Sequence, residues 1–329
     1  MFLIFGLILT SYLFYRIYQY LFPPPNIDPN GKFVLISGCD TGFGHSSAIE
    51  LDKQGFHVLA GVYKSENISL LKDKLSPRAT VFPLDITKST DIDVAYDLVK
   101  EKTNVLHALV NNAGIGTCGF IDWVPIDSFK QMMEVNFYGQ VAMIKKFLPL
   151  LIVKPDCRIV NICSVMGFTS PPNLSAYCAS KHAFEAFSDC LRREMFSWNL
   201  RVCIIEPGWI RTPIIQGHDR LLRGFWTKNA SIDTREQWGD QYFNDVVEKS
   251  ITNSPFINNA EDPMKVVRTV RHAVMNSKPN IRYHPDWQAT LIFYPASFLP
   301  AWLTDFFMIK LICPSSSPES VHNQLKDAF

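Results

Sequence analysis

Neither sign of charge dominates this chain: 32 Lys and Arg stand against 31 Asp and Glu, a formal net charge of +1 over 329 residues. With no long basic run there is no electrostatic footprint for nucleic acid, which is set aside as a partner. Charged residues make up only 19% of the chain and hydrophobic residues 47%, so a disordered chain is excluded. Sixteen glycines and 21 prolines follow no repeat, which excludes collagen-like and low-complexity architectures. The eight cysteines, Cys39, Cys118, Cys157, Cys163, Cys178, Cys190, Cys203 and Cys313, contain no C-x-x-C pair and no regular spacing. They read as small hydrophobes in a reducing compartment, not as a disulfide framework or a metal site. His57, His107, His182 and His218 lack ligand spacing as well. Each reads as structural or exposed, and no metal is indicated. Three sequons, at Asn67, Asn173 and Asn229, would matter only in a domain facing a lumen. No proline-rich or charged linker divides the middle, so the length is read as one domain with appendages.

The apolar residues concentrate at the two ends. Between Met1 and Phe22 the only formally charged side chain is Arg16, and at about 1.5 Å per residue the stretch is long enough to cross a bilayer core. Residues 1–22 are expected to be a membrane anchor, with Tyr12, Tyr15, Tyr18 and Tyr20 at the headgroup level. A cleaved signal peptide is the main rival, but no basic region precedes the apolar run. A buried amphipathic helix is the other; against it, Pro23, Pro24 and Pro25 begin a stiff linker, residues 23–30, that would hold the stretch off the body. A second apolar run spans 291–309 and is interrupted by Pro295 and Pro300. Residues 291–313 are expected to lie in the membrane interface, to close over an apolar entrance, or to pack as a C-terminal hairpin, with 314–329 as a tail. Arg16 and Lys32, after the apolar core, favour a cytosolic domain.

Between these ends, apolar strand-type runs recur at 32–37, 57–62, 79–84, 107–112, 158–163 and 201–206, separated by stretches long enough for crossover helices. Continuous apolar strands alternating with helices imply a parallel sheet buried on both faces. The expected fold class is therefore α/β, a doubly wound, Rossmann-type parallel sheet over 31–290. A peripheral insertion is expected at about 214–262. Its aromatics Phe225, Trp226, Trp238, Tyr242 and Phe243 suit either an apolar pocket or a helical cap in which they merely pack.

Directly after the first strand comes Ser37-Gly38-Cys39-Asp40-Thr41-Gly42-Phe43-Gly44, and then a helix. A strand that turns into a helix N-terminus offers backbone N–H groups and a positive dipole end to a pyrophosphate. Further on, Asn111-Asn112-Ala113-Gly114 closes the fourth strand, Asn136 lies in a long helical segment, and Ser164 follows the fifth strand. Tyr177-Cys178-Ala179-Ser180-Lys181 follows in a helical segment, and Pro207-Gly208 with Thr212 follows the sixth strand. In this order the motifs resemble the short-chain dehydrogenase/reductase family over roughly 31–290. GCDTGFG, IVNICSVMG, YCASKHAFEAFSDCLRREM and EPGWIRTPI look like its retinol dehydrogenase and 17β-hydroxysteroid dehydrogenase subgroup, and mitochondrial 3-hydroxybutyrate dehydrogenase shares much of the pattern.

Four residues apart, Tyr177 and Lys181 share one helical face. An ammonium there would lower the pKa of the phenol and suit Tyr177 to act as general base or acid. The resemblance implies that Ser164 hydrogen-bonds the reacting oxygen, that Asn136 helps hold a proton-relay water and that Lys181 holds the nicotinamide ribose. It also implies a cofactor site of Gly38, Thr41, Gly42, Phe43, Gly44, Asn112, Ala113, Gly114, Pro207, Gly208 and Thr212, with Asp85 contacting adenine. Lys64, at the end of the second strand, argues for NADP, whereas the subgroup favours NAD. The expected substrate is a lipophilic alcohol of steroid or retinoid type, with membrane lipid and a second copy of the chain as possible partners and the endoplasmic reticulum as location. A short hydroxy acid is the alternative substrate, and a membrane-tethered dinucleotide-binding protein without catalysis is the alternative of another class.

Overall fold

The computed structural model describes residues 6, 10, 11, 14 and 21–327, so the expected anchor over 1–22 lies almost wholly outside the described residues. The apolar runs form strands β1 (Phe33–Ile36), β2 (His57–Val62), β3 (Thr80–Pro83), β4 (Leu106–Asn111), β5 (Arg158–Ile162) and β6 (Arg201–Ile205). A further strand, β7 (Arg282–Tyr283), is only two residues long and too polar to stand out as an apolar run. All pairings are parallel, in the order β3-β2-β1-β4-β5-β6-β7. The order reverses between β1 and β4, and it is at the carboxyl ends of such strands that an open α/β sheet leaves a crevice.

Helices cover both faces of this sheet and build the peripheral segments beyond it. They are α1 (Gly42–Lys53), α2 (Asn67–Lys72), α3 (Ser89–Lys102), α4 (Ile126–Met133), α5 (Gln140–Leu151), α6 (Ser175–Glu194), α7 (His218–Lys228), α8 (Ile232–Trp238), α9 (Asp240–Val247), α10 (Pro255–Asn258), α11 (Met264–Met275), α12 (Tyr294–Ala296), α13 (Ala301–Ile312) and α14 (Glu319–Asp327). Strand residues alternate between two cores because successive side chains point to opposite faces. Val34, Ile36, Val58 and Ala60 pack toward α1 and α11, while Leu35, Leu59, Leu109 and Ile159 pack with Phe147 of α5 and Phe184 of α6. Each fully buried Val, Leu or Ile among them contributes about 1.5–3 kcal/mol of transfer free energy.

One segment differs from expectation. The proline spacer lies against the body: Asn276 Nδ2 donates to the Pro24 carbonyl at 2.9 Å, Ser277 N to that of Pro25 at 3.0 Å, and Ile27 N to that of Met275 at 2.8 Å. Proline lacks an N–H but keeps its carbonyl, and here those carbonyls serve the end of α11. Asn173, one of the three sequon residues, is buried at 7% exposure and holds a positive φ of 73°, so it is closed to glycosylation in the folded chain.

The C-terminal apolar run is broken as its prolines require, into a π-helical turn (Ala289–Phe293), α12 and α13. Among the described residues no helix is long and apolar enough to cross a membrane. Met308 of α13 is buried with Phe256 and Phe293, whereas Trp302, Phe306, Phe307 and Ile309 are exposed.

Candidate active site

Backbone geometry builds the glycine turn. The Ser37 hydroxyl accepts from the N–H groups of Asn112 and Ala113, both at 3.1 Å, and Asn112 Nδ2 donates to the carbonyls of Ser37 at 2.9 Å and Gly38 at 3.0 Å. Two motifs far apart in sequence are therefore one rigid unit across β1 and β4. Gly38 has φ +70°, and a Cβ there would lie 2.7 Å from Ala113 Cα. A Cβ on Gly44 would collide with the Gly38 carbonyl and the Asn112 amide. Thr41 is the N-cap of α1, in extended conformation and with no side-chain capping bond, so the N–H groups of the first turn are left for an anion.

Asp40, the acid inside the turn, is spent on the neighbouring strand. Its carboxylate accepts from Tyr63 N at 2.7 Å, Lys64 N at 2.9 Å and Asn67 Nδ2 at 2.9 Å. Lys64 and Glu66 form an exposed ion pair at 3.9 Å. Asp85 accepts from the Thr87 hydroxyl at 2.7 Å and its N–H at 3.0 Å; burial opposes its charge, but these bonds and Lys88 hold its pKa below the usual carboxylate range.

Around the turn opens a groove of about 910 Å³, lined by Gly38, Thr41, Gly42, Phe43, Lys64, Asp85, Asn112, Ala113, Gly114 and Thr212. Gly44 is not on its wall; it is the point where α1 backs onto the turn. Pro207 and Gly208 line a second cavity of about 150 Å³. Asn112, Gly114, Phe43 and Thr212 belong to both, so the two spaces meet there.

Ser164, Tyr177 and Lys181 all line this second cavity. The Ser164 hydroxyl accepts from Met166 N at 3.2 Å and donates to the Pro207 carbonyl at 3.3 Å, which fixes it at the end of β5. Lys181 Nζ lies 5.8 Å from the centre of the Tyr177 ring and donates to the Ile162 carbonyl at 3.0 Å. The expectation that the ammonium lowers the phenol is corrected. Burial is the largest influence and pushes Tyr177 upward, a hydrogen bond to Ser164 is what works against it, and burial also lowers Lys181. In a site this dry, desolvation outweighs a charge that points away toward a carbonyl.

Asn136 lies, as expected, in a long helical stretch from Ile126 to Leu151, on the π-helical turn (Glu134–Gly139) that joins α4 to α5. Such turns are frequent at functional sites. Its Oδ1 accepts from Ile115 N and its Nδ2 donates to Ile115 O, both at 2.9 Å, with Ser180 Oγ 3.0 Å from Nδ2. Asn136 thus ties the loop after β4 to α6 and lines neither space.

Of the two settings open to the insertion's aromatics, the structure gives the packed cap. None of Phe225, Trp226, Trp238, Tyr242 and Phe243 lines the cavity. The amphipathic helices turn their aromatics toward Trp123, which meets Trp226 at 5.3 Å, while Trp226 stacks on Phe243 at 4.6 Å. Instead the cavity is lined by Met166, Leu174, Trp209, Phe256 and Ile312, together with His218. Trp209, adjacent to the Pro207-Gly208 turn, Met166, two residues after Ser164, and Ile312, in the segment 291–313, had a signal in the sequence.

Two buried acids that sequence reasoning missed brace the site. Asp286 accepts from Gly208 N at 2.7 Å and Ala289 N at 2.9 Å, and a Cβ on Gly208 would lie 2.7 Å from Asp286 Oδ1. Glu206 meets Arg282 at 2.6 Å and His284 at 2.8 Å. Arg282 also pairs with Glu185 and, at 3.1 Å, with Asp189. Burial and then the neighbouring Glu206 push Glu185 up to about 7.

A family profile described as "short chain dehydrogenase" matches residues 32–220. Retinol dehydrogenase 5 of Homo sapiens is 35% identical, covering 85% of this chain and 88% of that protein. The 17-beta-hydroxysteroid dehydrogenase type 6 of Bos taurus is 34% identical with the same two coverages. The mitochondrial D-beta-hydroxybutyrate dehydrogenase of Bos taurus is 35% identical over 79% of this chain and 78% of its own. Among solved structures, a short chain dehydrogenase/reductase from Burkholderia phymatum in complex with NAD shares the fold, with a TM-score of 0.67 at 18% identity over 82% of this chain and 93% of that one. The profile spans more than half of the chain, from the glycine turn through Ser164, Tyr177 and Lys181 to Thr212. The chain belongs to the short chain dehydrogenase family and is an oxidoreductase that works with a nicotinamide cofactor.

Proposed function

We propose that this enzyme exchanges hydride between a nicotinamide dinucleotide and a lipophilic alcohol, or the matching carbonyl, of steroid or retinoid type. The observation that carries this reading is the cavity at Ser164 and Tyr177, walled by Met166, Leu174, Trp209, Phe256 and Ile312 and with no carboxylate among its lining residues. Apolar walls with a few convergent polar groups are what an apolar ligand needs for orientation.

The groove fits a dinucleotide: Gly38 and Gly44 stand where any Cβ would clash, and the uncapped start of α1 suits a pyrophosphate. Gly38, Thr41, Gly42 and Phe43 would hold the phosphates, Asp85 the adenine side, and Lys181 with Asn112 and Gly114 the nicotinamide end. When bound, the nicotinamide supplies the hydride acceptor or donor. Ser164 hydrogen-bonds the reacting oxygen. Tyr177 takes the hydroxyl proton in oxidation and returns it to the carbonyl oxygen in reduction. NAD is the favoured cofactor, since Glu66 stands beside Lys64 and offsets its charge for a 2′-phosphate.

Attachment to a membrane belongs to the same reading. The exposed face of α13, with Trp302, Phe306, Phe307 and Ile309, suits the interface of a bilayer, while Ile312 of the same helix lines the cavity. Twelve residues reach only about 18 Å, too short to span. Spanning is left to residues 1–22, with the catalytic domain on the cytosolic side of the endoplasmic reticulum. The test is a panel of steroids, retinol and 3-hydroxybutyrate, each with NAD and with NADP. Efficient turnover of hydroxybutyrate with none of the steroids or retinol would overturn the reading.

A further inference from the structure

Large apolar side chains stand exposed at one edge of the sheet, the edge where the strands begin. Phe196 is 83% exposed and Trp198 53%, both on the 3₁₀ turn (Phe196–Trp198) between α6 and β6. Val153, in the loop before β5, is 53% exposed, and Ile281, just before β7, is 51% exposed. The turn is firmly made: Trp198 N donates to the Met195 carbonyl at 3.1 Å, Asn199 N donates to that of Phe196 at 3.0 Å, and Asn199 closes it at φ +50°. It tucks Met195 and Leu200 into the core and holds the two aromatics between them outside. One exposed apolar residue needs no explanation, but several on adjoining loops do.

These loops adjoin one another and the proline spacer. Asp156 N donates to the Asn199 carbonyl at 3.2 Å, which joins the loop of Val153 to that of Trp198. The buried Arg158 donates to the carbonyls of Asp156 at 2.8 Å and Asn276 at 2.9 Å, and Asn276 in turn holds the carbonyl of Pro24. A chain spans at most about 3.5 Å per residue, so Phe22, the last residue of the N-terminal apolar stretch and two before Pro24, stands within about 7 Å of that proline.

We propose that Val153, Phe196, Trp198 and Ile281 form a lipid-docking surface, on which the amino edge of the sheet rests against the bilayer. The inference rests on the reading of residues 1–22 as a membrane anchor and goes beyond it: an anchor alone leaves the domain free to turn, whereas docked loops fix which side faces the lipid. The occupant follows from the pinned spacer. Its hydrogen bonds to Met275, Asn276 and Ser277 place the departure of an apolar stretch at this edge, so the surface beside it is the membrane's. Aromatic side chains suit that boundary, Trp above all, whose N–H stays with the headgroups while its ring enters the acyl region. With α13 as the second contact, at the cavity end of the strands, the sheet lies with its strands along the bilayer and keeps the cavity at the lipid boundary.

The test places nitroxide labels, one at a time, on the full chain in phosphatidylcholine vesicles, at Phe196→Cys, at Phe306→Cys of α13 and at Ser89→Cys. Ser89 is an exposed position just after β3, the strand at the other end of the sheet from β7. Cys190 and Cys313 are replaced by Ser, the other six cysteines being buried. The expected result at Phe196→Cys is a loss of collisions with an aqueous nickel chelate and a gain of collisions with oxygen, relative to Ser89→Cys. A label at Phe196→Cys as open to the chelate as that at Ser89→Cys, on a chain that resists alkaline carbonate, would overturn the docking surface and leave the anchor standing, and with it α13 if Phe306→Cys is immersed. Release of the chain by carbonate would overturn both anchor and docking surface. Spin–spin broadening at Phe196→Cys would give the surface to a second copy of the chain and overturn the lipid proposal. All three labels replace exposed side chains, and dinucleotide binding verifies the fold of each labelled chain.

Discussion

The groove of about 910 Å³ and the cavity of about 150 Å³ share Phe43, Asn112, Gly114 and Thr212, yet they are built differently. The groove is walled mainly by residues within a few positions of the ends of β1, β2, β3 and β4. The cavity draws side chains from positions scattered between Phe43 and Ile312, including the insertion and the last apolar helix. Backbone geometry at strand ends follows from the sheet itself, so the groove is nearly inseparable from the fold. The cavity depends on which side chains the peripheral segments deliver, so substrate choice can change without disturbing cofactor binding.

Tyr177→Phe is the largest break expected between the two. It removes one oxygen from the cavity and should lower hydride transfer by about 100- to 10,000-fold while dinucleotide binding, measured by calorimetry, survives. Unchanged turnover would remove Tyr177 from the reaction. Next come two aromatics that the structure separates. Trp226→Ala, in the sealed cluster with Trp123 and Phe243, should cost about 3–5 kcal/mol of stability in denaturant unfolding. Phe256→Ala, on the cavity wall, should in addition change the relative KM values of bulky and slim alcohols. If both variants shifted KM alike, the separation between cap and wall would fail.

A pH series sharpens the same comparison. Burial raises Tyr177, so the base form needed for oxidation is scarce at neutral pH and grows as pH climbs toward the raised pKa. Oxidation kcat/KM should therefore rise through the alkaline range, by up to about tenfold per pH unit, while reduction, which uses the protonated phenol, does not rise. A flat oxidation profile would show that Tyr177 is not the titrating base. The smallest expected effect belongs to the groove: Lys64→Glu, which changes the charge at an exposed site by two units, should shift the ratio of NAD to NADP efficiency toward NAD by about fivefold, or about 1 kcal/mol. No shift would place Lys64 outside the contact with the adenosine ribose.

What was legible in the sequence was what is local. Six strands lie within a residue or two of their apolar runs, because a fully buried parallel strand must be apolar throughout. The glycines at 38 and 44 were visible because close backbone approach admits no other residue at those points. Tyr177 and Lys181 could be placed on one face because helical spacing dictates it. Phe256 was illegible, since nothing near it in the chain marks the cavity it reaches, whereas Ile312 belongs to the segment 291–313 for which closure over an apolar entrance was one expectation. The insertion's aromatics left two settings open for a related reason: an aromatic-rich amphipathic helix looks the same whether it faces a ligand or a tryptophan.

Sequence alone determined six of the seven strands and the glycine turn, because each follows from chemistry within a few residues, and the order of its motifs singled out Ser164, Tyr177 and Lys181. Tertiary structure alone decided the rest. It set the direction of the Tyr177 shift, since desolvation depends on everything packed around the ring. It turned the proline spacer into a contact of α11. It also brought Val153, Phe196, Trp198 and Ile281 to the edge where that spacer docks, an arrangement that exists only when distant segments of the chain are held together.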